Sequence, residues 1–363
     1  MIKKLKYACI GAGGIANKKH LNNYAKINEI ELVAICDIDI EAAKELADKY
    51  QVPYVYSDYH EMIRNHQLDI VSVCTPNNLH ARTSIDLLQA GVNVHCEKPL
   101  ALNPREASEI IRVKNKSEKK LMVALNNRFT DEVVHLKKII NSGFLGKIYQ
   151  AKCGWRRNNG IPGIGKWFTN KKISGGGPLI DLGVHFLDLT LYLMGFPSAI
   201  SVSGATYANF KKDYSRIRVG YKNVPGGTFD VEDTANGLVR LNNDATLTYD
   251  FSWAANIEKE CKYVEILGTD GGISFLDGEI KLFTQMEGTC YTLKPDTRTI
   301  QKAQQEYQHF VDCIIENREP LATAEQAYEI MQIIEAAYLS AADGKEIVID
   351  NLNKIKLMKV GNR

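Results

Sequence analysis

The chain has 363 residues, 45% of them hydrophobic and 24% charged, and its 45 Lys+Arg nearly balance 43 Asp+Glu, leaving a formal charge of +2. At about 100–200 residues per domain, that length predicts two domains with ample apolar material for buried cores. Lysine runs no longer than pairs leave no basic field for gripping nucleic acid or an anionic membrane.

The eight cysteines stand at 9, 36, 74, 96, 153, 261, 290 and 313, with no CxxC and no local partner. Four lie in apolar runs of the first hundred residues, where a free Cys packs as a small hydrophobe, so a reducing cytoplasm is expected. The basic start resembles the head of a signal peptide, but glycines and then Asn17, Lys18 and Lys19 break the apolar stretch behind it. No segment reaches the roughly 18 uninterrupted apolar residues that span a bilayer.

Short apolar runs at 5–11, 31–37, 69–75, 92–97 and 120–125 alternate with helical patterns near 14–27, 40–50, 78–90 and 104–118. Continuous apolar runs of this length read as strands buried on both faces, and the helices between them supply parallel crossovers. The first domain is therefore expected to be a doubly wound α/β fold. After residue 125 the rhythm changes. A helix near 130–142 leads to a strand at 147–155, a Gly/Pro-rich loop over 160–177 and a helix near 178–194. Strand-like segments at 199–209, 233–241, 244–253, 261–268 and 271–284 follow, punctuated by Asn243-Asp244 and Thr269-Asp270-Gly271-Gly272, which suggests antiparallel hairpins. Helical patterns over 300–317 and 324–342 close an α+β second domain.

The first chemical motif is Gly11-Ala-Gly13-Gly14-Ile15-Ala16, directly after the first strand. In a dinucleotide fold Gly11 permits the tight turn, Gly13 admits the pyrophosphate to the backbone, and small Ala16 lets helix and strand pack closely. Asp37 ends the second strand, where a carboxylate accepts hydrogen bonds from the adenosine ribose hydroxyls and repels a 2′-phosphate. NAD is expected over NADP.

The second motif, Glu97-Lys98-Pro99, falls beyond the carboxyl end of the fifth run, where open α/β sheets bind ligands. Such a lysine can bring positive charge to a reacting oxygen, although from the tripeptide alone an ordinary solvated Lys before a turn is the better reading. The third is GGGPLIDLGVHFLD over 175–188. Pro178 suits a first helical turn, and Asp181 and His185, four apart, share one helix face. An imidazole there can take or return a proton while the carboxylate orients it. A packed core histidine is the bland alternative. Two donors and no other His/Cys cluster at ligand spacing argue against a metal.

Together with CTPNNLHA at 74–81, HCEKPLA at 95–101, LNNRF at 125–129 and the closing pair of helices, these motifs resemble the glucose–fructose oxidoreductase / inositol dehydrogenase / rhizopine catabolism (Gfo/Idh/MocA) family over essentially the whole chain. The resemblance implies a Rossmann domain over 1–125 and a C-terminal α+β domain over 126–363, with a large, mostly antiparallel sheet through which dimers and tetramers form. It implies that Lys98 is the active-site lysine and that Asp181 and His185 are the acid/base pair. Thr75, Pro76, Asn77, His80 and Glu97 would line the pyrophosphate and nicotinamide end, and Asn126 and Arg128 would face nicotinamide and substrate. Arg157 and Trp167 fall in a loop region that lines sugar pockets in relatives, and His309 in a helix that sometimes approaches them.

The reaction so implied is reversible hydride transfer between a carbinol carbon of a cyclic polyol or sugar and nicotinamide. Relatives differ in whether His or Lys takes the hydroxyl proton. A keto-sugar reductase preferring NADPH is the competing enzyme, and a non-catalytic dinucleotide sensor the competing reading of another class. Retention of both Lys98 and His185 favours an enzyme.

Overall fold

The computed structural model describes residues 4–210, 223, 224 and 226–350; the first three residues of the basic start lie outside them. The described residues divide into two compact units, those within Met1–Asn126 and Gln304–Tyr328, and those within Asn127–Ala303 and Glu329–Arg363.

In the first unit Leu5–Ile10 (β1), Ile30–Cys36 (β2), Tyr54–Tyr56 (β3), Ile70–Val73 (β4), Asn93–Cys96 (β5) and Leu121–Val123 (β6) form a parallel sheet in the order β3-β2-β1-β4-β5-β6. Every residue of β4 and β5 is buried, as strands covered on both faces require. The strand order reverses between β1 and β4, which opens a ligand crevice beyond their carboxyl ends. The helix expected over 14–27 is a π-type stretch, Ala16–Leu21, running into Asn22–Tyr24 (α1). Ile40–Tyr50 (α2) starts at Asp39, whose side chain accepts the Ala42 amide. Tyr59–Asn65 (α3) and β3 were not expected: β3 is three residues long with no buried position, so it leaves no apolar run to read. Asn77–Gln89 (α4) and Pro104–Ser117 (α5) match expectation. At α5 the Asn103 side chain accepts the Glu106 amide, while Glu106 reaches back to the Leu102 amide, with Pro104 opening the helix.

The second unit opens with Asp131–Asn141 (α6), capped by Thr130. Ile148–Arg156 (β7), Lys171–Ser174 (α7), a π-type turn Leu179–Gly183 and Val184–Leu193 (α8) follow. The strands are Ala199–Tyr207 (β8), Thr234–Leu241 (β9), Thr246–Ser252 (β10), Cys261–Gly268 (β11), Gly271–Leu276 (β12), Glu279–Met286 (β13), Thr289–Leu293 (β14) and Ile347–Val348 (β15). They join β7 in a sheet of order β14-β13-β12-β11-β7-β10-β9-β8-β15, in which only β7 and β10 pair in parallel. The segment expected as one strand over 271–284 is a hairpin. Asp277 and Gly278 turn it with φ of +49° and +91°, the geometry of a two-residue hairpin loop.

Glu306–Ile315 (α9) and Ala324–Asp343 (α10) are the two closing helices. A division at residue 125/126 would leave α9 with the second unit, whereas Gln304–Tyr328 packs with the first. The reason is burial. Tyr307 stacks edge-on against Tyr24 (5.2 Å between centroids), Phe310 packs on His95, and the Val123 amide donates to the Ala322 carbonyl. No described helix is long and apolar enough to cross a membrane.

Glu306 enters this interior only 5% exposed, with Oε1 3.2 Å from His95 Nε2. Burial pushes its carboxyl up to about 8, while burial first and His20 second push His95 well below the usual histidine range. Both shifts favour the neutral forms at pH 7, an acid and an imidazole sharing one hydrogen bond. An acid that keeps its proton in the folded chain and releases it in the unfolded chain weakens the fold as pH rises toward 8. Between pH 6.5 and 8, where the titration of unfolded histidines is common to both proteins, Glu306→Gln should remove that slope. The wild type should lose about 2 kcal/mol relative to the variant across that window in urea titrations. Parallel pH dependences would contradict the neutral pair.

Candidate active site

At the end of β1 the backbone of Gly11 has φ +99°, and a Cβ there would stand 2.5 Å from the Cys74 carbonyl oxygen, so only glycine fits. Gly13 and Gly14 have nothing within 4 Å of the Cβ position and lie exposed with Ile15, while Ala16 is fully buried under them. Asp37, at the end of β2, accepts the Ala12 amide at 2.6 Å on Oδ2 and the Asp39 amide at 2.9 Å on Oδ1. Its carboxylate is thus fixed beside the glycine turn, and each oxygen retains a second lone pair. Past β4, Thr75 Oγ1 is buried with no hydrogen-bond partner among the described residues. An open glycine cradle, a fixed carboxylate and an orphaned buried hydroxyl fit a dinucleotide, which Gly13, Gly14, Asp37 and Thr75 would hold.

Pro76 opens α4, and Asn77 is buried on its first turn. His80 follows on the same helix. Its Nδ1 lies 2.7 Å from the Pro99 carbonyl and its Nε2 2.8 Å from the Thr75 carbonyl, in a fully buried position where desolvation lowers its pKa. The two ring nitrogens face backbone carbonyls on either side, one of them donating, and His80 braces the Thr75 and Pro99 loops.

Glu97 follows β5 with its side chain 13% exposed. Oε1 lies 2.9 Å from His20 Nε2, and Oε2 accepts the Lys98 amide at 3.2 Å. Burial raises the Glu97 carboxyl, but the His20 hydrogen bond and charge, then Lys98, outweigh it and hold it at about 2. Lys98 is half-buried, and the Lys98–Pro99 peptide is cis. Asn126, half-buried, opens the short helical turn Asn126–Phe129 that follows β6.

In the second unit Asp181 lies on the π-type turn and His185 on α8. Either helical pitch leaves residues four apart within about 40° around the axis, so the shared face survives the π geometry. Asp181 Oδ2 accepts from the indole of Trp253 at 2.9 Å, and Trp253 is fully buried just past β10. The start of the turn is held by Glu232, whose Oε2 accepts the Gly177 amide (3.0 Å) and whose Oε1 accepts from the Leu179 amide (3.2 Å) and the Tyr338 hydroxyl (2.8 Å). A Cβ on Gly177 would meet the Glu232 carbonyl at 2.0 Å, which explains that glycine. Glu232, Trp253 and Tyr338 escape sequence reading because each acts on the motif from tens of residues or more along the chain.

Arg128 is held inside the second unit. Its guanidinium is wholly buried and forked onto the Asp188 carboxylate through Nε (2.9 Å) and Nη2, with Tyr192 and Phe196 rings against it. It ties the turn after β6 to the helix that carries His185. Arg157 lies over the Trp155 ring at 4.3 Å and donates to the Gly160 carbonyl, and Trp167 stacks on Phe168; both are half-buried. His309 is packed, with Nε2 accepting the Leu321 amide, and burial and Arg318 lower it to about 4. Among the described residues no group of three His, Cys, Asp or Glu is arranged to hold a metal ion.

The family model described as "Oxidoreductase family, NAD-binding Rossmann fold" matches residues 5–125, and "Oxidoreductase family, C-terminal alpha/beta domain" matches 137–349. The D-glucoside 3-dehydrogenase of Escherichia coli (strain K12) is 34% identical over 349 residues, covering 94% of this chain and 97% of that protein. The levoglucosan dehydrogenase of Pseudarthrobacter phenanthrenivorans is 29% identical over 76% of this chain and 74% of its own length. A solved levoglucosan dehydrogenase bound to NADH and levoglucosan shares the fold, with a TM-score of 0.83 over 96% of this chain and all of that one at 23% identity. The chain belongs to the Gfo/Idh/MocA oxidoreductase family, enzymes that use a nicotinamide cofactor on CH–OH groups.

Proposed function

We propose that this enzyme oxidises a secondary hydroxyl of a cyclic sugar or polyol with NAD, and that a D-glucoside attacked at its 3-hydroxyl is the first substrate to test. The observation that carries the reading is the buried indole of Trp253 on Asp181, which fixes the carboxylate one turn before His185. His185 acts as general base for the hydroxyl proton, and Asp181 stabilises the imidazolium that forms. Lys98 donates a hydrogen bond to the same oxygen and stabilises its alkoxide character as the C–H bond breaks. Bound nicotinamide supplies the hydride acceptor.

The glucoside choice rests on the relative matched over nearly its whole length. The cofactor choice rests on Asp37, whose carboxylate stands at the glycine turn and would meet a 2′-phosphate with like charge. Eight free thiols suit a reducing cytoplasm. A homodimer or homotetramer through the C-terminal sheet is supported by exposed Leu276, Phe283, Met286, Tyr291 and Leu293 on its outer strands. Arg157 and Trp167 are proposed to border the sugar, presenting a guanidinium and an aromatic face.

The test is NADH formation from methyl and aryl glucosides, free pyranoses, uronates, sugar phosphates and inositols, each repeated with NADP. Turnover with a glucoside, and NAD preferred by about tenfold or more, is expected. Silence across the panel overturns the activity, and equal use of both cofactors overturns the role of Asp37.

A further inference from the structure

Beneath the Glu97–Lys98 turn lies a line of three side chains that the proposed reaction does not use: Ser72 Oγ, 2.8 Å from His20 Nδ1, and His20 Nε2, 2.9 Å from Glu97 Oε1. Its composition imitates a hydrolytic triad, yet Ser72 and His20 are both 0% exposed, so no substrate reaches the hydroxyl. The line ends instead on the carboxylate whose other oxygen holds the Lys98 amide. We propose that His20 is a positioning residue: through its hydrogen bond to Glu97 it fixes the carboxylate that fastens the Lys98 backbone, and so sets where Lys98 is presented. This rests on the reading of Lys98 as the lysine at the reacting oxygen.

The elements involved explain why such a brace is needed. Lys98 stands on a loop, and a loop holds a side chain less exactly than a strand does unless its backbone is anchored. The anchor comes from the stretch Ala16–Leu21, which opens at the glycine turn, so one buried imidazole links the dinucleotide cradle to the lysine. Around Glu97 stand His20 from that stretch, His95 and Cys96 on β5, Cys74 past β4, Lys98 itself, and Glu306 and Tyr307 from α9. Two carboxyls share this interior with opposite fates. Glu306, pushed up to about 8 by burial, is neutral at pH 7, whereas Glu97, with His20 against it, is held at about 2 and carries the single negative charge. Without His20 the carboxylate loses its largest stabilising partner, and the Glu97 carboxyl rises.

A four-member cycle of wild type, His20→Leu, Glu97→Gln and the double variant tests this. His20→Leu fills the volume without a donor. It should lower kcat by about 10–100-fold, the scale of a displaced reacting group, and add an acid limb to the pH profile. In the Glu97→Gln background the same change should cost little further and add no limb. His20→Gln, which keeps a donor near Nε2, should restore most of the turnover. NADH affinity, followed by fluorescence through the same cycle and pH range, gives a readout apart from turnover and should show the same non-additivity. Equal, pH-independent losses in both backgrounds would show that His20 only packs and would overturn the proposal. If Lys98→Met leaves turnover intact, the reading of Lys98 fails, while the cycle in NADH affinity still decides whether His20 acts through Glu97.

Discussion

Lys98→Met is expected to lower turnover by about 10³–10⁴-fold while NADH still binds within a few-fold of wild type. That loss corresponds to about 4–5.5 kcal/mol of barrier, somewhat above the ~3–4 kcal/mol for removing one neutral donor from a developing oxyanion, because the lost donor is charged. Methionine keeps the length and apolar stem of lysine, so the backbone that Glu97 fastens through its 3.2 Å bond is not disturbed. The half-buried position of Lys98 leaves room for the substitution without opening a core cavity. Arginine should not rescue turnover, because a planar fork cannot place one donor where a compact ammonium stood. The measurements are steady-state rates on the substrate that the panel yields, and NADH titration by fluorescence. A KM effect with kcat unchanged would make Lys98 a ground-state contact only, and unaltered turnover would remove it from the chemistry.

The parts of this site that were legible in the sequence are those whose signal is contiguous and set at a strand end. Gly11, Asp37 and Glu97-Lys98 each follow an apolar run by one or two residues, and the sheet order then carries those ends to one edge of the first unit. The Asp181/His185 spacing survives even though the turn beneath it is π-type, since four residues suit both pitches. What was not legible depends on partners far along the chain. Arg128 and His80 look like ligand-binding groups because they carry polar nitrogens; that the Asp188 carboxylate and the Thr75 and Pro99 carbonyls face those nitrogens is set only by the fold. Trp253, Glu232 and Tyr338 look like ordinary sheet and helix residues until the fold sets them on the 175–188 motif. The helical pattern of α9 was plain, but nothing local says that Glu306 and Tyr307 will bury themselves against Tyr24 and His95. Short edge strands such as β3 and β15 bury too little to leave a pattern.

Arg128→Met should destabilise the protein by about 3–5 kcal/mol, and the double variant Arg128→Met/Asp188→Leu should recover most of that loss. Both partners are essentially inaccessible to water, at 0% and 1% exposure. Burial raises the Asp188 carboxyl, and only the Arg128 charge and hydrogen bonds pull it back. Removing the guanidinium alone therefore strands a desolvated acid among Tyr192, Phe196 and the α8 backbone, and it must take up a proton or unfold the helix around it. Removing both charges leaves an apolar pair of similar volume, which such interiors accept at little cost. Urea titrations of the three proteins measure this, and the single variant should also become less stable as pH rises, because a carboxyl held protonated in the fold is released in the unfolded chain. The double variant then separates structure from recognition. With α8 restored in its packing, the sugar KM should stay within a few-fold of wild type if the guanidinium serves only Asp188. A KM raised by tenfold or more in a fully folded double variant would show that Arg128 also reads the substrate, as the LNNRF motif first suggested. A single variant as stable as wild type would mean that the ion pair contributes nothing net, and that α8 is held to the 126–129 turn by its other contacts, the Asn127 amide on the His185 carbonyl among them.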